Sequence, residues 1–546
     1  MSLQEHFAGR GPVLLVIMDG WGIGSGDAGN AIVLAKTPAI DRLWYEYPHT
    51  RLLTHGPYVG LSSDADLGGS EVGHLTMGAG KILEQGPTRI NKAIVDGSFY
   101  QSPVLRKIIA HCLRQQSTLH LLGLLSDGNV HSHIKHFLAV IRHANLQGIT
   151  HLRLHALFDG RDVGIQTAQA YVARIEDEFA AINKQPERDY RIASAGGREV
   201  ITMDRDHDWS KVEAGWQAHV HGVAAYQFQS AREAIEEFRT GAPGLIDQDM
   251  PGFVVVDSDG SPVGRMHDGD AVIMMNFRGD RALEITEAFE VDDFDGFDRG
   301  WRPDVLFAGM MVYDEDRNLP ALQIMEPTRV NNPFGKRILD LGIRQFRLAE
   351  TQKFPHVTFF FNGGQREPLD PAMEDYFLIP SDKGITFADA PVMKACKIAD
   401  KAVDLIDSGE YGFGLINFAN ADMVGHCGRI EPAIAAVEAV DTAIGRIVAA
   451  LEATGGCALI TADHGNAEEM VVHTGHGDEP CTRHSINPVP CILFDPQYDG
   501  SYHLRQTQAG EDIDMIPGLS HLAATLFVML GLNSPEDMNP SLIEVN

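Results

Sequence analysis

Basic residues are scarce in this sequence. Its 546 residues include 44 lysines and arginines against 75 aspartates and glutamates, which gives a formal net charge of −31. Binding a phosphate backbone requires a basic surface, so this balance argues against a nucleic-acid partner. An anionic substrate would have to meet a local positive site, built from metal ions or from clustered arginines.

Closely spaced cysteines and long apolar runs are also absent. None of the six cysteines forms a C-x-x-C pair, which gives zinc-knuckle and thioredoxin-like functions little support and predicts reduced, structural thiols. No apolar run approaches the ~20 residues of a membrane span. Residues 1–10 lack a hydrophobic signal segment. We therefore expect a cytoplasmic protein with no membrane partner.

The length and the hydrophobic pattern predict an α/β protein of two domains. Single cores stop growing near ~250–300 residues, which is well below the length of this chain. Short apolar runs end in turns that contain Gly, Asp or Asn, and helical segments separate these runs. The clearest runs are residues 13–18, 119–125, 152–158, 272–277, 413–418 and 458–461.

The polar residues that follow these runs fall into two sets. Asp19, Asp422, Asp463 and His464 come from the two ends of the chain, whereas the arginines described below come from its middle. In open α/β sheets, ligands bind beyond the carboxyl ends of the strands. We predict one domain formed by residues 1–84 and 326–546, which binds metal, and an inserted domain of residues 85–325, which binds substrate.

Aspartate and histidine side chains near the ends of the chain are typical of a metal site. Asp422 and His426 are four residues apart, so a helical turn would place both on one face. Asp463 and His464 are adjacent and need an irregular turn, which the following Gly465 supplies. Carboxylate and imidazole ligands without thiolate favour Mn or Zn. The alternative for Asp422 and His426 alone is an ordinary surface pair.

Ser70 follows two glycines and precedes a possible helix, which makes it a candidate nucleophile. A serine hydroxyl needs a base, a cation or a metal to become reactive. The alternative is a helix N-cap, and the two roles are compatible because a helix N-terminus also favours phosphate. Two glycine motifs are rejected: the spacing at Gly22, Gly24 and Gly26 is not G-x-G-x-x-G, and Ile82 replaces the P-loop Ser/Thr after Lys81.

Several arginines in the middle of the chain follow apolar runs or lie in polar turns. A guanidinium can bind a carboxylate or a phosphate through two hydrogen bonds, so such a set suits a phosphorylated carboxylic acid. His131 could bind the same anion. For any single arginine the alternative is a surface salt bridge. The set comprises Arg161, Arg198, Arg205, Arg278 and Arg281.

Taken together, these motifs resemble those of the cofactor-independent phosphoglycerate mutases, within the alkaline-phosphatase-like metalloenzymes. The matching segments are residues 18–22, 69–74, 159–162, 203–206, 349–358, 461–466 and 487–490, so the resemblance covers nearly the whole chain. It implies an alkaline-phosphatase-like α/β domain interrupted by an inserted α/β domain. It also implies interconversion of 3-phosphoglycerate and 2-phosphoglycerate through a phosphoserine, in glycolysis and gluconeogenesis, by an enzyme that we expect to be a monomer.

The resemblance also assigns roles to individual residues. It implies two Mn²⁺ ions, with other divalent metals possible, one held by Asp19, Ser70, Asp463 and His464 and the other by Asp422, His426 and His484. It implies catalytic roles for Ser70, Asp162 and Lys353. Substrate contacts are expected from His131, Arg161, Asp162, Arg198, Arg205, Arg278, Arg281 and Lys353. Whether His473 or His476 acts beside His484 stays open.

Two rival functions remain at this point. A metal-dependent phosphatase, sulfatase or phosphopentomutase could use the same metal-binding domain, although the inserted arginine-bearing domain argues against this. A non-catalytic metal-binding or acidic interaction protein could share the fold. A substrate panel separates the first rival, and formation of 2-phosphoglycerate without added 2,3-bisphosphoglycerate excludes the second.

Overall fold

The chain folds into two compact units, as seen in a computed structural model. The structure describes residues 3–26, 28–61, 63–204, 207–314, 317–326, 330–382, 384–474, 477–508 and 510–546. The first unit comprises Met1–Gln85 with Thr328–Asn546, and the second comprises Gly86–Pro327. The predicted fold class, one α/β unit interrupted by another, is confirmed.

A seven-stranded sheet forms the centre of the first unit. Its first five strands run parallel, and the strand Val489–Phe494 pairs antiparallel with both of its neighbours. In order across the sheet, the strands are Glu374–Ile379, Gln345–Glu350, Phe413–Phe418, Val13–Met18, Cys457–Thr461, Val489–Phe494 and His49–Leu52.

Burial on both faces explains the composition of the central strands in this sheet. All six residues of Val13–Met18 are buried, and so are all six of Phe413–Phe418. Parallel strands covered by helices on both faces are nearly continuous apolar runs. The main helices of this unit are Leu3–Phe7, Pro38–Glu46, Ser70–Ala79, Phe334–Asp340, Ala395–Ser408, Asn420–Gly425, Ile430–Thr454 and Leu522–Met529.

Shorter elements complete the first unit. Ala31–Leu34 is a single helical turn, and two antiparallel strand pairs join Val471–Thr474 to Gly477–Pro480 and Tyr502–Leu504 to Ile543–Val545. Tighter 3₁₀ turns cover Gly56–Val59, Ile513–Met515 and Leu519–His521, and a wider π turn covers His356–Phe360.

The second unit contains another seven-stranded sheet. Asp189–Gly197 pairs antiparallel with Phe253–Val255, and the other neighbouring strands run parallel. In order across the sheet, the strands are Tyr226–Phe228, Phe253–Val255, Asp189–Gly197, His151–Phe158, Leu119–Leu124, Ala271–Met274 and Leu306–Gly309.

Helices cover the second sheet and bury its apolar residues. The main ones are Gly86–Asp96, Pro103–Gln115, Ile134–Gln147, Ala168–Ile182, Trp209–Trp216, Ala231–Gly241 and Leu283–Glu290. Shorter turns are the 3₁₀ segments Ser98–Gln101 and Asp247–Asp249 and the π turn Gln217–His221. The helices of the described residues include none long and apolar enough to cross a membrane. The cysteines, which are Cys112, Cys396, Cys427, Cys457, Cys481 and Cys491, are free thiols.

Candidate active site

Three neighbouring strands of the first sheet deliver polar side chains to one edge. Asp19 follows Val13–Met18, and Asp463 lies just beyond Cys457–Thr461, which pairs parallel with that strand. On the other side, Phe413–Phe418 leads into the helix Asn420–Gly425, whose Asp422 donates its backbone N–H to Asp19 O at 3.1 Å. Parallel strands end at the same edge, which explains why these carboxylates meet.

Ser70 is the first residue of the helix Ser70–Ala79, and its hydroxyl faces this cluster. Ser70 Oγ lies 3.2 Å from Asp19 Oδ1 and 3.0 Å from His464 Nε2. Lys353 Nζ donates a hydrogen bond of 2.7 Å to the same oxygen. The helix N-cap is Gly69 and not Ser70, so the N-cap alternative is wrong. The Ser70 side chain therefore reaches the carboxylates, and the positive end of the helix dipole lies beside it.

Lys353 supplies the positive charge among the buried carboxylates. Its Nζ lies 2.8 Å from Asp19 Oδ1 and 2.7 Å from Asp422 Oδ2. Burial alone would lower the pKa of Lys353, but the carboxylates of Asp19 and Asp422 outweigh burial and raise it. Burial would likewise raise the pKa of Asp19, but Lys353 holds it below its ordinary value. At neutral pH this side chain is an ammonium and Asp19 is ionised.

Asp463 is the carboxylate for which nearby positive charge does not outweigh burial. Burial, and then the nearby charge of Asp19, raise the pKa of Asp463 to about 7. Its side chain is fully buried, and Oδ2 has no hydrogen-bond partner among the described residues. A buried carboxylate oxygen without a donor is costly, which indicates that this position accommodates a cation.

Three histidines complete the cluster, and each has a defined ring orientation. His426 Nε2 lies 3.2 Å from Asp422 Oδ1, as the four-residue spacing predicts, and His484 Nε2 lies 3.4 Å from the same oxygen. The ring of His464 stacks on that of His484 with centroids 3.7 Å apart. His426 Nδ1 contacts Thr482 O and His484 Nδ1 contacts Gly68 O, each at 2.7 Å. Nδ1 therefore donates in both rings, which leaves each Nε2 as a potential metal ligand.

The ligand atoms group into two sets that could each hold a metal ion. One set contains Asp19, Asp463 and His464, and the other contains Asp422, His464 and His484. Within each set the candidate atoms lie within 4.8 Å of one another. The open question about His473 and His476 is not resolved, because the His473 side chain and the whole of His476 lie outside the described part of the chain.

Sequence reasoning missed the residues that hold the ligand-bearing loops in place. The buried carboxylate of Glu468 accepts hydrogen bonds from Gly22 N at 3.0 Å and Asn466 N at 2.8 Å, and also from the hydroxyl of Ser485. A Cβ at Gly22 would lie 2.3 Å from Glu468 Cδ, so a larger residue there would displace this carboxylate. The glycines of the first loop were the available signal, but they do not indicate which side chain approaches them.

Asn417 supports the cluster from beneath. It lies on the strand Phe413–Phe418, and its Nδ2 donates to Asp19 Oδ2 at 2.8 Å. The buried ring of His74 lies 3.5 Å from Asp463, measured between Nδ1 and Oδ2. Asn417 is an isolated polar residue within an apolar run, so its role could not be deduced from sequence, and the segment 69–74 does not indicate that His74 approaches Asp463.

The second unit gathers the predicted anion-binding residues into one connected group. Arg198 is buried, and its guanidinium contacts Asp159 Oδ1 at 2.8 Å, Asp162 Oδ2 and His131 Nε2, the last at 2.7 Å. Asp159 also accepts from Asp162 N at 3.0 Å, which fixes the turn that follows the strand His151–Phe158. Two carboxylates thus orient the Arg198 guanidinium toward His131.

Two further carboxylates, which sequence reasoning did not single out, connect the remaining arginines. Glu199 Oε1 lies 3.2 Å from Arg161 Nη1 and 3.3 Å from Arg281 Nη1. Asp280 Oδ1 lies 3.2 Å from Arg278 Nε and 3.5 Å from His131 Nδ1. Arg281 is buried, whereas Arg161 and Arg278 are exposed. The predicted Arg205 lies outside the described residues.

Comparison with known proteins identifies the chain. Residues 11–534 match the family model of the metalloenzyme superfamily. The 2,3-bisphosphoglycerate-independent phosphoglycerate mutase of Trypanosoma brucei brucei is 40% identical over 547 residues, which cover 98% of each chain. The chain belongs to this family of phosphoglycerate mutases. Another member, from Methanosarcina acetivorans, is 42% identical over 537 residues, and the alignment covers 98% of each chain.

A solved structure from the phosphoglycerate mutases also matches over the full length. The crystal structure of Leishmania mexicana phosphoglycerate mutase at low cobalt concentration is 39% identical in sequence and has a TM-score of 0.73. The match covers 99% of this chain and 98% of that one. The chain is therefore an enzyme with the phosphoglycerate mutase fold.

Proposed function

We propose that this enzyme interconverts 3-phosphoglycerate and 2-phosphoglycerate without 2,3-bisphosphoglycerate, through a phosphoserine at Ser70. The observation that carries the proposal is the position of Ser70 Oγ, which contacts Asp19, His464 and Lys353 at a helix N-terminus. A hydroxyl surrounded by a carboxylate, an imidazole and an ammonium suits transfer of a phosphoryl group. The family membership of the chain supports the same reaction.

The donor atoms of the first unit fit two divalent metal ions. Asp463 Oδ2 is buried without a donor among the described residues, and the Nδ1 contacts of His426 and His484 leave their Nε2 atoms for a metal. In the proposal, Asp19, Ser70, Asp463 and His464 hold one Mn²⁺, and Asp422, His426 and His484 hold the other. When bound, these ions neutralise phosphate charge and lower the pKa of the serine hydroxyl.

The residues of the chain then have distinct tasks in the reaction. With its proton released to solvent, Ser70 Oγ attacks phosphorus in line while the bond from phosphorus to the glycerate oxygen breaks, and the ammonium of Lys353 stabilises the negative charge on the transferred oxygens. Asp162 protonates the departing glycerate oxygen and later takes the proton of the hydroxyl that recovers the phosphoryl group. His131, Arg161, Arg198, Arg205, Arg278 and Arg281 bind the acid and retain glycerate between the two transfers.

The cellular setting of this reaction follows from its substrate. Interconversion of the two phosphoglycerates belongs to glycolysis and gluconeogenesis, and we infer a monomeric cytoplasmic enzyme with no nucleic-acid or membrane partner.

The decisive experiment is a metal-dependent mutase assay on the purified full chain. Protein stripped with EDTA should not convert 3-phosphoglycerate, and added Mn²⁺ should restore formation of 2-phosphoglycerate in the absence of 2,3-bisphosphoglycerate. Inorganic phosphate is measured in parallel. Phosphate release without isomerisation would instead identify a phosphatase, and full activity in protein shown by elemental analysis to be metal-free would contradict the two-metal site.

A further inference from the structure

A row of buried polar side chains crosses the second unit, and neither the metal site nor the direct substrate contacts account for it. Its members lie on or beside four neighbouring strands of the sheet, and hydrogen bonds join each to the next. All are nearly or completely buried. In order, they are Asp270, His120, His155, Ser194, His219 and Thr202.

The distances in the row are those of hydrogen bonds throughout. His120 Nε2 lies 3.3 Å from Asp270 Oδ2, and His120 Nδ1 lies 2.9 Å from His155 Nε2. Ser194 Oγ lies 2.6 Å from His155 Nδ1 and 2.7 Å from His219 Nδ1. Thr202 Oγ1 closes the row at 2.8 Å from His219 Nε2.

Asp270 sets the direction of every hydrogen bond in the row. It accepts backbone N–H groups from Thr118 and His267, each at 2.8 Å. These bonds and that of His120 hold the pKa of Asp270 below its ordinary value despite burial, so the carboxylate can only accept.

The imidazoles transmit this direction along the row, because burial keeps each of them neutral. The pKa of His219 is lowered to about 3, and those of His120 and His155 are lowered as well. A neutral ring has one donor and one acceptor. His120 donates to Asp270 and therefore accepts a hydrogen bond from His155. His155 in turn accepts from the Ser194 hydroxyl, and Ser194 accepts from His219. The remaining ring nitrogen of His219 is an acceptor, so the Thr202 hydroxyl must donate to it.

The backbone at Thr202 needs such support. Thr202 has φ +70°, a left-handed conformation that is strained for a β-branched residue. Its N–H donates to Lys211 O at 2.8 Å. A Cβ at Gly215 would lie 2.0 Å from Thr202 Oγ1, so glycine is needed beside the hydroxyl. The side chain is thereby held on the His219 side.

This backbone conformation bears directly on a proposed substrate residue. The carbonyl of Met203, the next residue, accepts a hydrogen bond of 3.3 Å from Arg281 Nη1. Arg281 is otherwise linked to Glu199 at 3.3 Å and is 7% exposed. The carbonyl direction thus helps to set where the guanidinium can present its remaining N–H donors.

We propose that the row is a positioning device, in which Asp270, the three histidines and Ser194 fix Thr202 and thereby aim Arg281 at the substrate. This inference rests on the proposed function of Arg281 as a phosphoglycerate ligand. The residues of the row do not touch substrate and are not catalytic residues. Their loss should weaken substrate binding and leave the phosphoryl transfer step itself intact.

The test removes the Thr202 hydroxyl without changing its shape. In the Mn²⁺-loaded full chain, Thr202→Val should raise the KM and the dissociation constant for 3-phosphoglycerate about tenfold, as expected when one charge-assisted contact is lost. The kcat should change less than about threefold. Thr202→Ser keeps the hydroxyl, so its KM and its dissociation constant should both lie within about twofold of the wild-type values.

Two controls separate positioning from stability. Thr286→Val removes another buried hydroxyl of the same unit, one that donates to Ala282 O at 2.7 Å, and should leave the KM and the dissociation constant unchanged. In a double-mutant cycle, Thr202→Val should add nothing to the loss caused by Arg281→Ala, because the hydroxyl acts through that arginine.

The outcomes distinguish the two proposals. An unchanged dissociation constant in Thr202→Val, or effects of Thr202→Val and Arg281→Ala that simply add, would overturn positioning. Wild-type protein that binds 3-phosphoglycerate but never isomerises it would contradict the mutase function instead, and the binding measurements would still decide the role of the row.

Discussion

Lys353 Nζ lies 2.7 Å from Ser70 Oγ, so the proposed nucleophile shares its hydrogen-bond donor with the carboxylates of the candidate metal site. The same ammonium contacts Asp19 at 2.8 Å and Asp422 at 2.7 Å. One side chain therefore compensates the charge of two carboxylates and orients the hydroxyl. It is also within reach of a phosphoryl group transferred to Ser70.

Lys353→Met should abolish catalysis and make the folded state depend on metal. Removing one partner of a buried ion pair costs about 3–5 kcal/mol, so the metal-free variant should unfold at lower temperature than wild type. Mn²⁺ should raise its unfolding temperature more than that of wild type, because the ions replace the missing positive charge. Turnover should fall at least about 100-fold.

Lys394→Met is the matched control for this variant. Lys394 is a mostly buried lysine of the same unit, and its ammonium pairs with Asp382, which is not a proposed metal ligand. It should retain wild-type turnover. Normal turnover in Lys353→Met would remove Lys353 from the mechanism.

Ser70→Ala should lower mutase turnover at least about 10³-fold, because it removes the atom that accepts the phosphoryl group. The methyl group fits the same space, so the metal content from elemental analysis should remain near that of wild type. Incubation with labelled 3-phosphoglycerate should transfer label to wild-type protein and not to the variant. Ser520→Ala, which removes another buried serine hydroxyl of this unit, should label normally; label retained in Ser70→Ala would place the nucleophile elsewhere.

Glu468→Gln should weaken metal binding although Glu468 is not a proposed ligand. Oε2 accepts Gly22 N and Asn466 N, and Oε1 accepts Ser485 Oγ and Asn487 Nδ2. Either orientation of the amide points its NH₂ group at donors, so the loops that carry Asp19, Asp463 and His484 should shift. Loss of such outer contacts typically reduces metal affinity 10–100-fold, which calorimetric titration with Mn²⁺ would measure.

The adjacent Glu469 gives a control with the same change of charge. Its Oε2 accepts a hydrogen bond from Asn487 Nδ2 at 3.0 Å. Glu469→Gln should bind Mn²⁺ with an affinity close to that of wild type. Equal affinities for Glu468→Gln and wild type would show that the loops hold their positions without this carboxylate.

The sequence was most informative where one chemical signal determined the structure. The runs at 13–18 and 413–418 coincide with the strands Val13–Met18 and Phe413–Phe418, because central parallel strands are apolar throughout. The apolar run at 272–277 extends three residues beyond the carboxyl end of the strand. The strand there is Ala271–Met274, and beyond it Phe277 N bonds His131 O in a loop instead of a neighbouring strand.

Part of the candidate site was predictable from the sequence, because its ligand residues share one chemical signal. Aspartate and histidine after strand ends have a recognisable chemistry, and the structure brings Asp19, Asp422 and Asp463 together around Lys353. Glu468 could not be found this way, because a carboxylate that accepts backbone N–H groups has no motif. His120, His155 and His219 are isolated histidines, which local sequence does not distinguish from ordinary core residues.

The last prediction concerns stability at acid pH and depends on His136. This side chain is fully buried in the helix Ile134–Gln147, with Nε2 at 3.0 Å from Asn91 Oδ1. Burial, and then the nearby His133, lower its pKa to about 3. In the unfolded chain the pKa of a histidine is about 6.5, so between pH 6.5 and pH 3 the unfolded chain binds a proton at this residue and the folded protein does not. Protonation of His136 in the unfolded chain therefore does not affect the free energy of unfolding above pH 6.5 and lowers it progressively as the pH falls toward 3.

Each such histidine should contribute a slope of about 1.4 kcal/mol per pH unit to the free energy of unfolding within this window. His136→Gln should reduce the slope by about that amount in chemical unfolding experiments between pH 6 and pH 4, with EDTA present so that metal binding does not contribute. The exposed His151 serves as the control, and His151→Gln should keep the wild-type slope. Identical slopes for wild type and His136→Gln would mean that His136 takes up its proton in the folded protein as readily as in the unfolded chain, which its burial opposes.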